Sequence, residues 1–246
     1  MRLLDRKRRE AAGRTVTFRI KRFGGEIGAR SLWQRYDLTV RPRMSVLDAL
    51  FEIMEDQDGT LGFRYSCRAE MCGSCGMVID GRERLACGTR LDALGRSVSI
   101  EPLRNLPVIK DLVVDLAPFY EKYAAVTPYF VGSGAGEPAV IPPSSVIRTM
   151  IDQQLGCITC GACFSACPIV AASTSYLGPA ALNRAFSLIA DSRDTAGAER
   201  LARLVGDDGI FSCRDVSNCV EVCPVQIEPL AAIQRLRKRV VGGLLA

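Results

Sequence analysis

Eleven cysteines and no histidine stand among 246 residues, so metal or redox chemistry in this chain has to run on thiolates. Without imidazole it can build no mixed Cys/His zinc finger, no Rieske-type centre, no haem ligand of that kind and no His-activated nucleophile. The first cysteine group is Cys67, Cys72 and Cys75, with Cys87 further on. A C-x4-C-x2-C loop completed by a later cysteine is the plant-type ferredoxin pattern for a 2Fe-2S cluster. Such a loop must wrap an anionic core and turn its amides toward sulfur, and Gly73, Ser74 and Gly76 are small enough to allow it. Zinc is the other metal that clustered cysteines take, although a three-cysteine loop completed from a strand suits it less.

The second group, Cys157, Cys160, Cys163 and Cys167-Pro168, has the spacing of bacterial ferredoxins, in which the fourth cysteine serves a different cluster from the first three. The third group, Cys213, Cys219 and Cys223-Pro224, aligns on the second with Val216 where its second cysteine would stand. By the crossover rule, Cys157, Cys160, Cys163 and Cys223 hold a 4Fe-4S cluster. Cys167, Cys213 and Cys219 then serve the other, and three thiolates with valine at the fourth corner predict 3Fe-4S. All eleven cysteines are used. The plain alternative is that some are buried structural thiols.

The elements that must position these groups differ between the two halves. Val16, Phe18 and Ile20 alternate with polar residues, and Tyr36, Leu38 and Val40 repeat that period, which predicts a hairpin. Ser45 with Asp48 caps a helix carrying Leu47, Leu50, Phe51 and Met54. Strands follow at 77–79 and 82–87 around Asp80-Gly81, and at 97–100. From Pro107 onward, stretches 109–123, 145–154, 179–192, 198–204 and 230–240 read as helical, with a Gly/Pro/Ser-rich loop over 126–145. The expected organisation is a basic arm over 1–13, an α+β domain over 14–106 and an all-α domain over 107–246.

With 48% hydrophobic and 24% charged residues the composition is that of a globular protein. Residues 1–22 hold nine Lys/Arg against two acids and so carry +7, leaving −2 on the rest of a chain whose net charge is +5. No aromatic residues interleave with that charge, which argues against nucleic acid as a partner. Residues 1–12 lack the apolar core of a secretory signal, and an odd cysteine count cannot pair off completely, so a reducing compartment is expected. The longest apolar run, 108–119, is broken by Lys110, Asp111 and Asp115, so the chain is not expected to span a membrane.

The motifs YSCRAEMCGSCGMVIDGRERLACGT (65–89), CITCGACFSACP (157–168), YLGPAAL (176–182), ADSRD (190–194) and FSCRDVSNCVEVCP (211–224) together resemble the iron-sulfur subunit of the succinate dehydrogenase and fumarate reductase family over nearly the whole chain. The resemblance implies an N-terminal β-grasp plant-type ferredoxin domain followed by an all-α bacterial-ferredoxin-like domain. It further implies an electron relay with no catalytic residue of its own, between an FAD flavoprotein and a membrane anchor that presents quinone. FAD, and any haem b, would belong to those partner subunits. The expected location is peripheral, on the cytoplasmic face of a bacterial inner membrane. Many ubiquinone-reducing members have a Trp pair after the Cys-Pro and a His after the next cysteine; here Ile169, Val170 and Ala171 follow Pro168, and Arg214 follows Cys213. This favours menaquinone. Pro168, Ile169, Arg214 and Arg237, the last matching a family lysine, are the expected quinone-vicinity residues. The alternative is the iron-sulfur subunit of another flavin dehydrogenase or of a soluble thiol-linked fumarate reductase.

Overall fold

A computed structural model describes residues 13–24, 30–134 and 140–244. The basic arm over 1–13 lies outside the described residues except for Gly13. The chain divides into two compact units, Met1–Asp115 and Leu116–Ala246.

In the first unit, β1 (Arg14–Arg22) pairs antiparallel with β2 (Leu32–Val40), with Phe18 opposite Tyr36. Alternation buries Val16, Phe18 and Ile20 completely. β3 (Gly76–Ile79) and β4 (Arg82–Leu85) are joined by Asp80 and Gly81, whose φ angles of 49° and 78° make a type I′ turn. β5 (Ser97–Glu101) runs parallel to β1, completing the sheet order β2-β1-β5-β3-β4. Helix α1 (Val46–Asp56) starts in a capping box: the Ser45 hydroxyl accepts from the Asp48 amide at 3.1 Å, and the Asp48 carboxylate accepts from the Ser45 amide at 2.9 Å. Its buried face, Leu47, Leu50 and Ile53, joins the strand residues in the core of this β-grasp unit.

Arg22, from the basic N-terminal run, is not a solvated charge but a buried hub. Its guanidinium donates to Asp111 at 2.8 Å, Asp58 at 2.6 Å, Tyr36 at 2.5 Å and Thr60 at 3.0 Å. Asp111, 1% exposed, also accepts from the Gly62 amide at 2.9 Å.

The stretch 109–123, read as helical from sequence, divides instead into a small hairpin, β6 (Val108–Lys110) and β7 (Val113–Val114), and a short helix, α2 (Ala117–Ala124). The period is too short to separate helix from strand there. Asp111, at φ 49°, turns the chain, and its bond to Arg22 fixes the hairpin. These strands belong to the first unit, so the division falls after Asp115 rather than at 106.

The second unit contains α3 (Val146–Leu155), α4 (Ala162–Ser165), α5 (Pro168–Ala172), α6 (Pro179–Ala190), α7 (Gly197–Arg203), α8 (Asn218–Glu221) and α9 (Pro229–Leu244). Ten of the twelve residues of α6 are buried, because α2, α3, α4, α7 and α9 all pack against it. Buried Arg200 donates to the carbonyls of Thr127 at 3.0 Å and Tyr129 at 2.7 Å and pairs with Asp194, which ties the preceding loop to this core. Among the described residues no helix is long and apolar enough to cross a membrane.

Candidate metal centres

The cysteine loop of the first unit leaves α1 and ends at the start of β3. Arg68 and Glu70 adopt positive φ, 56° and 60°, as does Gly73 at 72°, so the backbone doubles back on itself. The amides of Ala69, Met71 and Cys72 consequently point at the Cys67 sulfur, at 3.4, 3.3 and 3.3 Å, and the Cys67 amide points at the Cys72 sulfur at 3.4 Å. Converging N–H groups of this kind form a concavity for negative charge. The hydroxyl of Ser74 and the Cys67 amide bring the Cys72 thiol down to about 6. Cys67 and Cys72 are exposed, whereas Cys75 is buried at the head of β3 and burial pushes its thiol up to about 12. Cys87 follows β4, and its sulfur lies 3.3 Å from that of Cys75. Cys67 and Cys72 thus lie together within the loop, and Cys75 and Cys87 lie together where the loop meets the sheet.

In the second unit the sequence repeat is also a backbone repeat with an offset of 56 residues. α4 and α8 each span four residues at equivalent positions. Thr159 and Asp215 share positive φ, 50° and 54°, as do Gly161 and Ser217, 78° and 68°. The first turns match bond for bond: Phe164 and Val220 amides donate to the carbonyls of Gly161 and Ser217, and Cys167 and Cys223 amides to those of Phe164 and Val220. Val216 keeps the backbone of a ligand position while its side chain offers no donor, and it is 49% exposed.

The repeats sort their seven cysteines between two cavities. One is lined by Cys157, Cys160, Cys163 and Cys223. The other is lined by Cys167, Cys213, Cys219 and Val216. Here burial dominates: it pushes Cys160 up to about 11, Cys219 up to about 12, and Cys163 well above the ordinary thiol range. Thiols gathered in one cavity and raised by burial suit an iron-sulfur core, since bound iron supplies the positive charge that stabilises them as thiolates. A donor without a partner among the described residues supports this fit at the three-cysteine cavity: the Tyr176 hydroxyl, on a residue lining it. Sequence reasoning quoted Tyr176 within its motif without assigning it to the site; only its burial marks it.

Of the expected quinone-vicinity residues, Pro168, Ile169 and Arg214 line the three-cysteine cavity. Arg237 is a clamp on the adjoining loop. It donates to the Ile210 carbonyl at 2.8 Å, the Cys213 carbonyl at 2.5 Å and both oxygens of Asp215 at 3.1 and 3.0 Å.

Residues 17–121 match the family described as a 2Fe-2S iron-sulfur cluster binding domain, and residues 153–227 the 4Fe-4S dicluster domain. The fumarate reductase iron-sulfur subunit of Mycobacterium tuberculosis is 39% identical over 90% of this chain and 91% of its own length. The chain belongs to the family of succinate dehydrogenase and fumarate reductase iron-sulfur subunits. The succinate dehydrogenase iron-sulfur subunit of Paracoccus denitrificans is 41% identical over 81% of this chain and 78% of its own length. Among solved structures, a chain of the Mycobacterium smegmatis Sdh1 complex in the apo form superposes with a TM-score of 0.85 at 27% identity, covering 96% of this chain and 99% of that one. As a member of this family the chain is an electron-transferring, iron-sulfur subunit of an oxidoreductase. Its relatives do not favour another flavin dehydrogenase or a thiol-linked fumarate reductase.

Proposed function

We propose that this subunit relays electrons between an FAD flavoprotein that acts on succinate or fumarate and a quinone held by a membrane anchor. The observation that carries the reading is the division of the helical unit's cysteines into a cavity of four and a cavity of three plus Val216. When bound, 2Fe-2S, 4Fe-4S and 3Fe-4S clusters supply one-electron steps without proton chemistry. Cys67, Cys72, Cys75 and Cys87 hold the first, Cys157, Cys160, Cys163 and Cys223 the second, and Cys167, Cys213 and Cys219 the third. The amides around Cys67 carry part of the charge at the exposed loop, and Cys167 and Cys219 lie buried in the helical unit. Val216 withholds a fourth thiolate. No side chain is asked to act as acid, base or nucleophile, in keeping with the absence of histidine.

Pro168, Ile169 and Arg214 border the three-cysteine cavity and form the side of the quinone site that belongs to this chain, with Arg237 holding the loop behind them. Lacking the Trp pair and His of many ubiquinone-linked members, this border suits menaquinone. The subunit sits peripherally on the cytoplasmic face of a bacterial inner membrane, and any haem b lies in the anchor. Low-temperature electron paramagnetic resonance of the anaerobically purified membrane complex tests the wiring. Succinate alone should bleach an oxidised three-iron signal, with dithionite needed for the clusters that remain oxidised. If dithionite reduces every cluster and succinate none, a different flavoprotein feeds the chain. Full activity with ubiquinone as the sole quinone in the complex would overturn the menaquinone assignment.

A further inference from the structure

Tyr176 is 0% exposed, yet its hydroxyl has no hydrogen-bond partner among the described residues. A buried donor left unpaired is costly, and native structures rarely keep one without a ligand or water to accept from it. The residue cannot easily turn elsewhere. Its carbonyl accepts from Lys122 at 2.8 Å, Lys122 also binds the Thr174 carbonyl, and the next amide, Leu177, donates to the Asp208 carbonyl at 2.8 Å. The ring therefore stands fixed in the wall of the cavity lined by Cys167, Cys213 and Cys219. A phenol is ordinarily protonated at neutral pH, so the hydroxyl stands in this wall as a donor.

We propose that Tyr176 is a positioning and tuning residue of the three-cysteine centre, donating its hydroxyl hydrogen bond to sulfur there and raising the reduction potential of the bound cluster. The proposal rests on the reading that this cavity holds the 3Fe-4S cluster. One electron entering makes the sulfur more negative, and a donated hydrogen bond strengthens as it does so, favouring the reduced state. Tyr176 keeps its proton in both states. No equivalent hydroxyl without a partner lines the four-cysteine cavity among the described residues, so the effect is local to one centre.

The test uses the anaerobically purified membrane complex with Tyr176→Phe, which removes the hydroxyl and keeps the ring. Redox titration followed by electron paramagnetic resonance should give a three-iron midpoint lowered by a roughly tenfold change in the reduction equilibrium, about 59 mV for one electron, with the other two clusters unchanged. In deuterated buffer, spin-echo modulation of the oxidised three-iron signal should contain an exchangeable deuteron that the variant lacks. An unchanged midpoint together with an unchanged deuteron coupling would overturn the role of Tyr176. Absence of any exchangeable coupling in the wild type would overturn it even if the variant failed to assemble. A wild-type complex with no three-iron signal at all would remove the cluster reading and this proposal with it.

Discussion

At the loop of the first unit, Cys67 and Cys72 are exposed, and backbone amides with the Ser74 hydroxyl stabilise their charge. In the helical unit amides also reach sulfur, that of Ile227 to Cys223 at 3.2 Å and that of Asp215 to Cys213 at 3.5 Å, but burial outweighs the backbone donors at Cys160 and Cys219 and drives their thiols upward. The protein itself prepares the loop around Cys67 and Cys72 for negative charge, whereas in the helical unit burial outweighs the amides and bound iron has to offset it. The two units should therefore depend on metal to different degrees.

Removal of iron should have the largest effect and should be unequal. Amides in 157–227 are expected to lose nearly all their hydrogen-exchange protection, while those of β1, β3 and β5 keep theirs; equal loss in both units would break the contrast. Next comes Val216→Cys, which supplies the absent thiolate. It should abolish the oxidised three-iron signal and lower the midpoint enough to slow quinone reduction about tenfold or more, by the relation of roughly 59 mV per decade. Survival of that signal would show that Val216 does not stand at the empty corner.

A smaller effect concerns the charged hub of the first unit. The Thr60 hydroxyl, then Tyr36 and Arg22, hold the Asp58 carboxyl well below the ordinary carboxylate range. A depressed folded value means that this stabilisation is complete above the unfolded carboxylate pKa of about 4 and is lost as pH falls through the folded one. Asp58→Asn should cost about 1–2 kcal/mol at neutral pH and remove that acid limb from the first unit. The second unit would keep its own, from Asp191 beside Arg193 and Asp208 beside Arg203. Urea melts of the first unit at pH 3 and pH 7 measure both. The smallest effect lies within the repeat. Ser217 holds the left-handed conformation that Gly161 holds at the equivalent position, so Ser217→Gly should stabilise by about 1 kcal/mol and Gly161→Ala destabilise by about as much. Thermal melts of the loaded complex that moved in the same direction for both would contradict the equivalence.

The cysteines were legible because ligand spacing is a local property: Cys67 to Cys75 and Cys157 to Cys167 each lie on one short stretch whose spacing the cluster dictates. The hairpin over β1 and β2 and the capped α1 were legible for the same reason, since alternation and Ser45 with Asp48 are local signals. The hairpin at Val108–Val114 was not, because what decides it is Asp111 bonding Arg22, 89 residues away in sequence. That same bond makes Arg22, at the end of the basic N-terminal run, part of a buried hub. The four-residue helices α4 and α8 are shorter than any period that could announce them, and Tyr176 reads as an ordinary core aromatic until its hydroxyl is found without a partner.

The ligand-bearing halves of the helical unit are interleaved: the four-cysteine cavity needs Cys223, and the three-cysteine cavity needs Cys167 from the earlier repeat. This orders events during biosynthesis. The first unit's cysteines are all available once the ribosome has passed Cys87, but the three-cysteine cavity waits for Cys219 and the four-cysteine cavity for Cys223, on the order of ten seconds later at ordinary elongation rates. During that interval the nascent chain carries unpaired thiols destined for burial, a period of oxygen sensitivity that the order of the residues alone imposes.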